Sequence, residues 1–334
     1  MKRKKILLVG GCGFIGHNLA ILLKNKGHEV KIIDSLKINN LYSEKDDEVT
    51  NEILYESILK NRLSLLNENH IEYFIKDAKD LNETKDIFHT IDPDIIIHLA
   101  AVSHANKSNK DPHTTFENSF RTLEASLEFA KLKKIHLIYL SSSMVYGNFD
   151  NPEVNEENVC NPIGIYGSLK LSGEMMIKAY NQAFNLPYTI IRPSALYGER
   201  CVSRRVGQIF IENAIQNKKI KINGDGQDKL DFTYINDLIE GISICCVNEK
   251  AKNEIFNITF GNAIKINDLL SILKAEFPNI AVEYKEREKL MPIRGTLSIK
   301  KAKNLLNFSP KFSIEEGYLR YINWYKNFWE NLKV

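Results

Sequence analysis

The stretch KILLVGGCGFIG, residues 5–16, decides the fold. Its first five residues are a branched apolar run of strand length, and glycines cut the run off after Val9. Beyond them Ile15, Leu19, Leu22 and Leu23 recur at the spacing of one helix face. Gly10, Gly13 and Gly16 therefore sit at a strand-to-helix junction in a G-x-x-G-x-x-G arrangement, with Phe14 and Ile15 between the last two. Small residues there allow a tight turn and let backbone N–H groups approach an anion at the positive end of the helix. The next apolar run, EVKII at 29–33, completes a strand, helix, strand unit.

The unit repeats outward through IEYFI (71–75), DIIIHLAA (94–101), HLIYLSSS (136–143) and YTIIRPS (188–194), each approached by a helix-like stretch. Runs that are apolar on both faces suit an α/β, doubly wound parallel sheet with helices on either side. The long connection from Asp34 to Ile71 contains TNEILYESILKNRLSLL (50–66), whose spacing predicts an inserted helix. After Pro193 loop signals alternate with helical stretches at 206–217, 234–247, 266–276 and 299–306 and with the short strands KIKIN, IFNIT and AVEYK. We expect a nucleotide-binding domain over 1–193, with 234–260 returning to it, and a smaller C-terminal α/β lobe built from 194–233 and 261–334.

Charge and cysteine content narrow the function. The 45 Lys and Arg nearly cancel the 42 Asp and Glu, and they are scattered, so nucleic acid is not an expected partner. Five cysteines without a CxxC or Cys/His cluster argue against a disulfide framework and against a metal site, and fit a reducing cytoplasm. The start MKRKKILLVG imitates a signal peptide, but its apolar run is too short, and no later stretch reaches membrane-span length.

Two carboxylates refine the nucleotide site. Asp34, 18 residues beyond Gly16 at the end of the second strand, suits both ribose hydroxyls of an adenosine. It would repel a 2'-phosphate and no arginine follows it closely, so NAD is expected rather than NADP. Asp77, followed by Ala78, ends the third strand and could meet the adenine amino group. The serines of 141–143 lie at the sheet's carboxyl edge, where ligands of such folds bind. Tyr166 and Lys170, in IYGSLK, share one helix face 24 residues after Ser142. A phenol of ordinary pKa about 10 is a poor base, but a neighbouring ammonium favours the phenolate. Tyr166 could then take the proton of a hydroxyl whose carbon gives up hydride, with Ser142 orienting that oxygen and Lys170 holding the nicotinamide ribose.

Assembled, these pieces resemble the extended short-chain dehydrogenase/reductases, in particular the NAD-dependent nucleotide-sugar epimerase/dehydratase group. The likeness also rests on HLAA (98–101), Asn118, SSSMVYG (141–147), RPSALYG (192–198), GDG (224–226) and DFTYINDLIEG (231–241). It implies a Rossmann domain, a lobe binding a nucleoside-diphosphate sugar, and a homodimer formed through helices near 113–133 and 166–184 in a four-helix interface. By position it implies cofactor contacts at Leu99, Ala100, Ala101, Asn118 and Pro193, and a sugar pocket lined by Ser103, His104 and Ser143.

Within that group the 4,6-dehydratases carry an Asp-Glu pair where this chain has Ser143 and Met144. A thioether cannot act as acid or base, so oxidation at C4 with no second step is what remains. A 4-epimerase of a nucleoside-diphosphate hexose or heptose leads; a 4-dehydrogenase releasing the ketone is the alternative, and a non-catalytic NAD-binding protein ranks below both. The family's asparagine in RxxN is Ala195 here, and the arginine before DFTY is Leu230 beside Lys229. Arg200, Arg204, Arg205 and Arg287 are therefore the candidates for the diphosphate, by bidentate guanidinium pairing, and Lys229 is a further candidate for substrate binding.

Overall fold

The computed structural model describes residues 3–42, 51–102, 105–288 and 290–332. The glycine-rich opening forms β1 (Lys5–Val9) and α1 (Phe14–Asn25), followed by β2 (Glu29–Asp34). The inserted helix is α2 (Glu52–Glu68), started by the Asn51 side chain, which accepts the Leu54 N–H at 2.9 Å. Next come β3 (Glu72–Ile75), α3 (Leu81–Ile91), β4 (Ile95–His98), α4 (Ala105–Lys110) and α5 (Pro112–Phe116). A π-helical turn, Glu117–Arg121, leads into α6 (Thr122–Lys133) and β5 (His136–Leu140). A 3-10 turn, Ser143–Tyr146, is followed by β6 (Glu153–Val154), the long α7 (Gly164–Phe184) and β7 (Tyr188–Arg192).

The remainder contains β8 (Leu196–Tyr197), α8 (Val206–Ile215), β9 (Ile220–Asn223), β10 (Lys229–Leu230), β11 (Thr233–Tyr234), α9 (Ile235–Val247) and β12 (Glu254–Asn257). The chain ends with β13 (Ile264–Lys265), α10 (Ile266–Glu276), β14 (Val282–Lys285), β15 (Thr296–Leu297), α11 (Lys300–Leu306) and α12 (Ile314–Leu332). No helix among the described residues is long and apolar enough to cross a membrane.

Seven strands form one parallel sheet in the order β12-β7-β5-β4-β1-β2-β3. Its core is two-sided because the strands alternate. Ile6 and Leu8 join Leu19 and Leu23 on one face, while Leu7 and Val9 meet Phe88, Ile96 and Leu137 on the other. Strand order reverses between β1 and β4, which opens a crevice at their carboxyl ends. Late in the chain, α9 packs on α1 and β12 pairs with β7, Ile255 opposite Ile190. The C-terminal segments otherwise form two-stranded pairs, β9 with β14 and β10 with β13, packed with α8, α10 and α12.

The sequence overextends three strands. DIIIHLAA leaves the sheet after His98, HLIYLSSS after Leu140 and YTIIRPS after Arg192. The backbone N–H groups of Leu99 and Ala100 both turn onto the Val9 carbonyl, which bends the chain across the crevice rather than along it. The residues trimmed from these strands are the ones that line the site.

Candidate active site

The crevice holds two cavities that share a wall. The first is walled by Gly10, Gly13, Phe14, Ile15 and Gly16, by Asp34, Asp77 and Ala78, and by Leu99, Ala100, Ala101 and Asn118. Gly10 has φ +81°, and a side chain there would meet the Ala100 nitrogen at 2.6 Å. At Gly16 a Cβ would come 2.4 Å from the Gly11 carbonyl, so α1 starts close against the turn with no acidic residue in its first turn. Its N–H groups face the cavity, as an anion site requires.

Asp34 accepts the Cys12 N–H at 2.9 Å and the Leu36 N–H at 2.8 Å, one on each carboxylate oxygen. Burial pushes its pKa up, while these two N–H groups and the Arg62 guanidinium pull it back. Each oxygen keeps a lone pair for a further donor. Asp77 pairs with Lys37 at 3.3 Å. Asn118 is half-buried in the π-helical turn, its amide donating to the Thr114 carbonyl at 2.8 Å.

The second cavity, of about 560 Å³, contains Ser142, Ser143, Met144, Tyr166, Lys170 and Pro193 and runs out between the sheet edge and the C-terminal segments. Ile15, Leu99, Ala101, Leu196 and Arg205 line both cavities. Ser142 caps the 3-10 turn by accepting the Met144 N–H at 3.1 Å, so its own proton remains to be donated, and it lies near enough to the Tyr166 phenol to lower its pKa. The Ser143 N–H donates to the Pro193 carbonyl at 2.9 Å, which locks this turn against the end of β7.

Lys170 is buried, donates to the Leu140 carbonyl at 2.6 Å and lies 4.9 Å from the centre of the Tyr139 ring. Burial pushes it down to about 7, against the opposing pull of Glu174. Burial also raises the Tyr166 phenol, and the groups pulling it back are the Arg205 guanidinium and the Ser142 hydroxyl. The sequence pointed to Lys170 as the cation that tunes Tyr166; the structure adds Arg205 as a second cation that pulls the phenol back.

The basic residues divide. Arg204, Arg205 and Lys229 line the cleft. Arg200 does not: its Nε donates to Asn61 at 2.8 Å and its guanidinium lies 5.8 Å from the Trp324 ring centre. Arg287 is ion-paired with Asp228 at 3.0 Å, behind the cleft-lining Asp228 and Glu288. Ser103 and His104 lie outside the described residues. Sequence reasoning missed Arg294, which lines the cleft with a buried Nε that has no hydrogen-bond partner among the described residues. Burial and the nearby Arg205 push it down to about 10. A signal was present in MPIRGT, an arginine two residues after a proline and just before a glycine, with no acid beside it. Arg62 was also unforeseen: it comes from α2 and reaches the wall of the first cavity, with donors directed at the Arg200 and Asn39 carbonyls.

Comparison with known proteins gives this arrangement a context. The profile of the NAD dependent epimerase/dehydratase family matches residues 6–259. The chain belongs to that family. A putative UDP-glucose 4-epimerase of Methanocaldococcus jannaschii is 32% identical over 331 residues, 96% of this chain and 98% of its own. A dTDP-D-glucose 4,6-dehydratase of Dictyostelium discoideum is 30% identical over 279 residues, 80% of this chain and 60% of its own. Among solved structures, the UDP-glucuronic acid 4-epimerase from Bacillus cereus, in complex with UDP-glucuronic acid and NAD, superposes with a TM-score of 0.86 at 28% identity, covering 96% of this chain and 99% of that one.

The cofactor of this epimerase/dehydratase chain is NAD, as the glycine motif and Asp34 led us to expect. The residues present fit it. Gly10 and Gly16 let the turn close tightly against Ala100 and Gly11, so that it and the start of α1 wall the cavity where a pyrophosphate would lie, and Asp34 presents unused lone pairs at the adenosine end. Arg62 does not recreate a 2'-phosphate site, because its guanidinium is turned onto backbone carbonyls.

Proposed function

We propose that the protein is a 4-epimerase of a nucleoside-diphosphate hexose or heptose, with a UDP-sugar the first to test. One observation carries the reading: Ser142, Tyr166 and Lys170 together line the cleft that opens directly from the nucleotide cavity through the wall shared by Ile15, Leu99, Ala101, Leu196 and Arg205. Bound NAD supplies a reversible hydride acceptor. The chain's own residues handle the proton and the position of the sugar. The Tyr166 oxygen removes the proton of the C4 hydroxyl and later returns it, Ser142 donates to the same sugar oxygen, and Lys170 holds the ribose of the cofactor. Tyr166, Lys170 and Ser142 are the catalytic residues of this reading. For inversion the C4 ketone must turn and present its other face, and a cleft of about 560 Å³ has room for that.

Met144 argues against dehydration, since neither Ser143 nor Met144, the two residues after Ser142, can take a proton from C5. The diphosphate is assigned to Arg205 and Arg294, with Arg204 and Lys229 at the same wall. Arg200 and Arg287, held elsewhere, are given no substrate role. Two finer points belong to the proposal. The protein works as a homodimer through α6 and α7, which expose Leu132, Met175 and Phe184. It acts in the cytoplasm and feeds polysaccharide biosynthesis.

The test is a panel of UDP-, GDP-, CDP- and dTDP-sugars followed by NMR and by absorbance. Inversion at C4 without net NADH is the expected result. Stoichiometric NADH with a released ketone would replace the epimerase by a dehydrogenase.

A further inference from the structure

Helix α2 interrupts the strand–helix alternation between β2 and β3, and its polar residues converge on one distant segment. The Tyr55 hydroxyl donates to Glu212 Oε2 at 3.0 Å and accepts from Gln208 Nε2 at 2.9 Å and Arg204 Nη1 at 3.3 Å. Asn61 Oδ1 accepts from Arg200 Nε at 2.8 Å. Arg62 Nε donates to the Arg200 carbonyl at 3.0 Å, while its Nη1 reaches the Asn39 carbonyl at 3.3 Å. Tyr55 is 8% exposed and Arg62 1%.

The gripped segment is strained. Arg200 and Arg204 have φ values of +65° and +49°, in the left-handed region that residues with a Cβ avoid, so the local backbone does not hold them there. The same segment delivers Arg204 to the sugar cleft and Arg205 to the wall between the two cavities. Leu54, Ile58, Leu59 and Leu66 of α2 are buried and serve the core, but interring the Arg62 guanidinium beside them, its pKa pushed down by burial to about 10, is a poor way to add stability. A rigid fork fixing two carbonyls is a good way to position loops.

We propose that α2 is a brace for the cleft, with Tyr55 and Arg62 as positioning residues that set Arg204 and Arg205 for the nucleoside diphosphate; this rests on the substrate reading given above. Tyr55 acts through Arg204, and Arg62 through the Arg200 carbonyl. Removing the Tyr55 hydroxyl, which acts through Arg204 and not through Arg205, therefore weakens substrate binding and spares hydride transfer.

The experiment uses the full-length, NAD-loaded protein with UDP and UDP-glucose as probes. Tyr55→Phe should raise the Kd for UDP and the KM for UDP-glucose roughly tenfold, the effect of one hydrogen bond to a charged group, with kcat at saturation and NAD affinity unchanged. In an Arg204→Ala background the same substitution should add nothing to the loss of UDP affinity, because the route from Tyr55 to the substrate runs through Arg204. Arg62→Lys, which keeps the charge but loses the fork, should weaken UDP in the same direction. Unchanged UDP affinity in Tyr55→Phe and Arg62→Lys, with only a lower Tm, would reduce α2 to a structural helix and overturn the brace. A wild-type protein that binds UDP with this dependence on Tyr55 but inverts no sugar would defeat the epimerase reading and leave the brace standing.

Discussion

At the scale of single residues, Tyr166 is influenced by Arg205, a cation that the sequence placed at the diphosphate. Burial raises the Tyr166 phenol and Arg205 pulls it back, so removing Arg205 leaves a weaker acid. The rising limb of the kcat/KM profile, which reports ionisation of Tyr166, should therefore move to higher pH in Arg205→Ala; a limb that stays in place would acquit Arg205 of this role. Ala195 gives a second prediction. The family's asparagine at this position looked like a lost substrate contact, yet the backbone there has φ +35°, a conformation asparagine tolerates better than alanine. Ala195→Asn should stabilise the protein by about 1 kcal/mol, read as a higher Tm. Such a backbone requirement is invisible in sequence, because nothing in RPSALYG announces a left-handed residue.

At the scale of elements, α7 explains why IYGSLK was readable. Tyr166, Lys170 and Glu174 repeat every fourth residue and face inward together. Lys170 and Glu174 are buried, and Glu174 receives Arg192 Nε at 2.9 Å and Nη2 at 2.6 Å from the end of β7. Glu174→Leu would strand the buried guanidinium and should cost about 3–5 kcal/mol, measurable as a lower denaturant midpoint. The neighbouring Gly167 lets α7 approach the serine turn: a Cβ there would stand 2.8 Å from the Met144 carbonyl. Gly167→Ala should push Tyr166 away from Ser142 and lower kcat by about 10²-fold with NAD binding kept, checked by steady-state rates and calorimetry. Periodicity and glycine spacing made this helix and β1 legible in advance. It could not show where DIIIHLAA or HLIYLSSS leaves the sheet, because that is set by the partner strand's last carbonyl. Nor could it show that Tyr55 and Arg62 of α2 grip a segment about 140 residues away, since the helical spacing fixes a face and not its partner.

At the scale of the whole molecule, the same helix that holds the proton pair also presents an apolar surface. Leu132 of α6 is 65% exposed, and Met175 and Phe184 of α7 are 64% and 43% exposed. Lys131 lies over the Phe184 ring at 5.1 Å and α6 packs along α7, so the two helices form one surface. A monomer gains nothing from leaving such side chains in water, and at about 25 cal/mol per Å² their burial favours association. If two copies meet on this surface, light scattering should give twice the mass of one chain, and Tm should rise with protein concentration, because only the folded state associates. Placing charges on it with Leu132→Glu and Met175→Glu should produce a monomer whose Tm no longer depends on concentration. Tyr166 and Lys170 point from α7 into the cleft rather than toward this surface, so the monomer should retain C4 inversion at a temperature where it stays folded. A wild-type chain that scatters as a monomer at every concentration would remove the dimer and leave the chemistry of the cleft untouched.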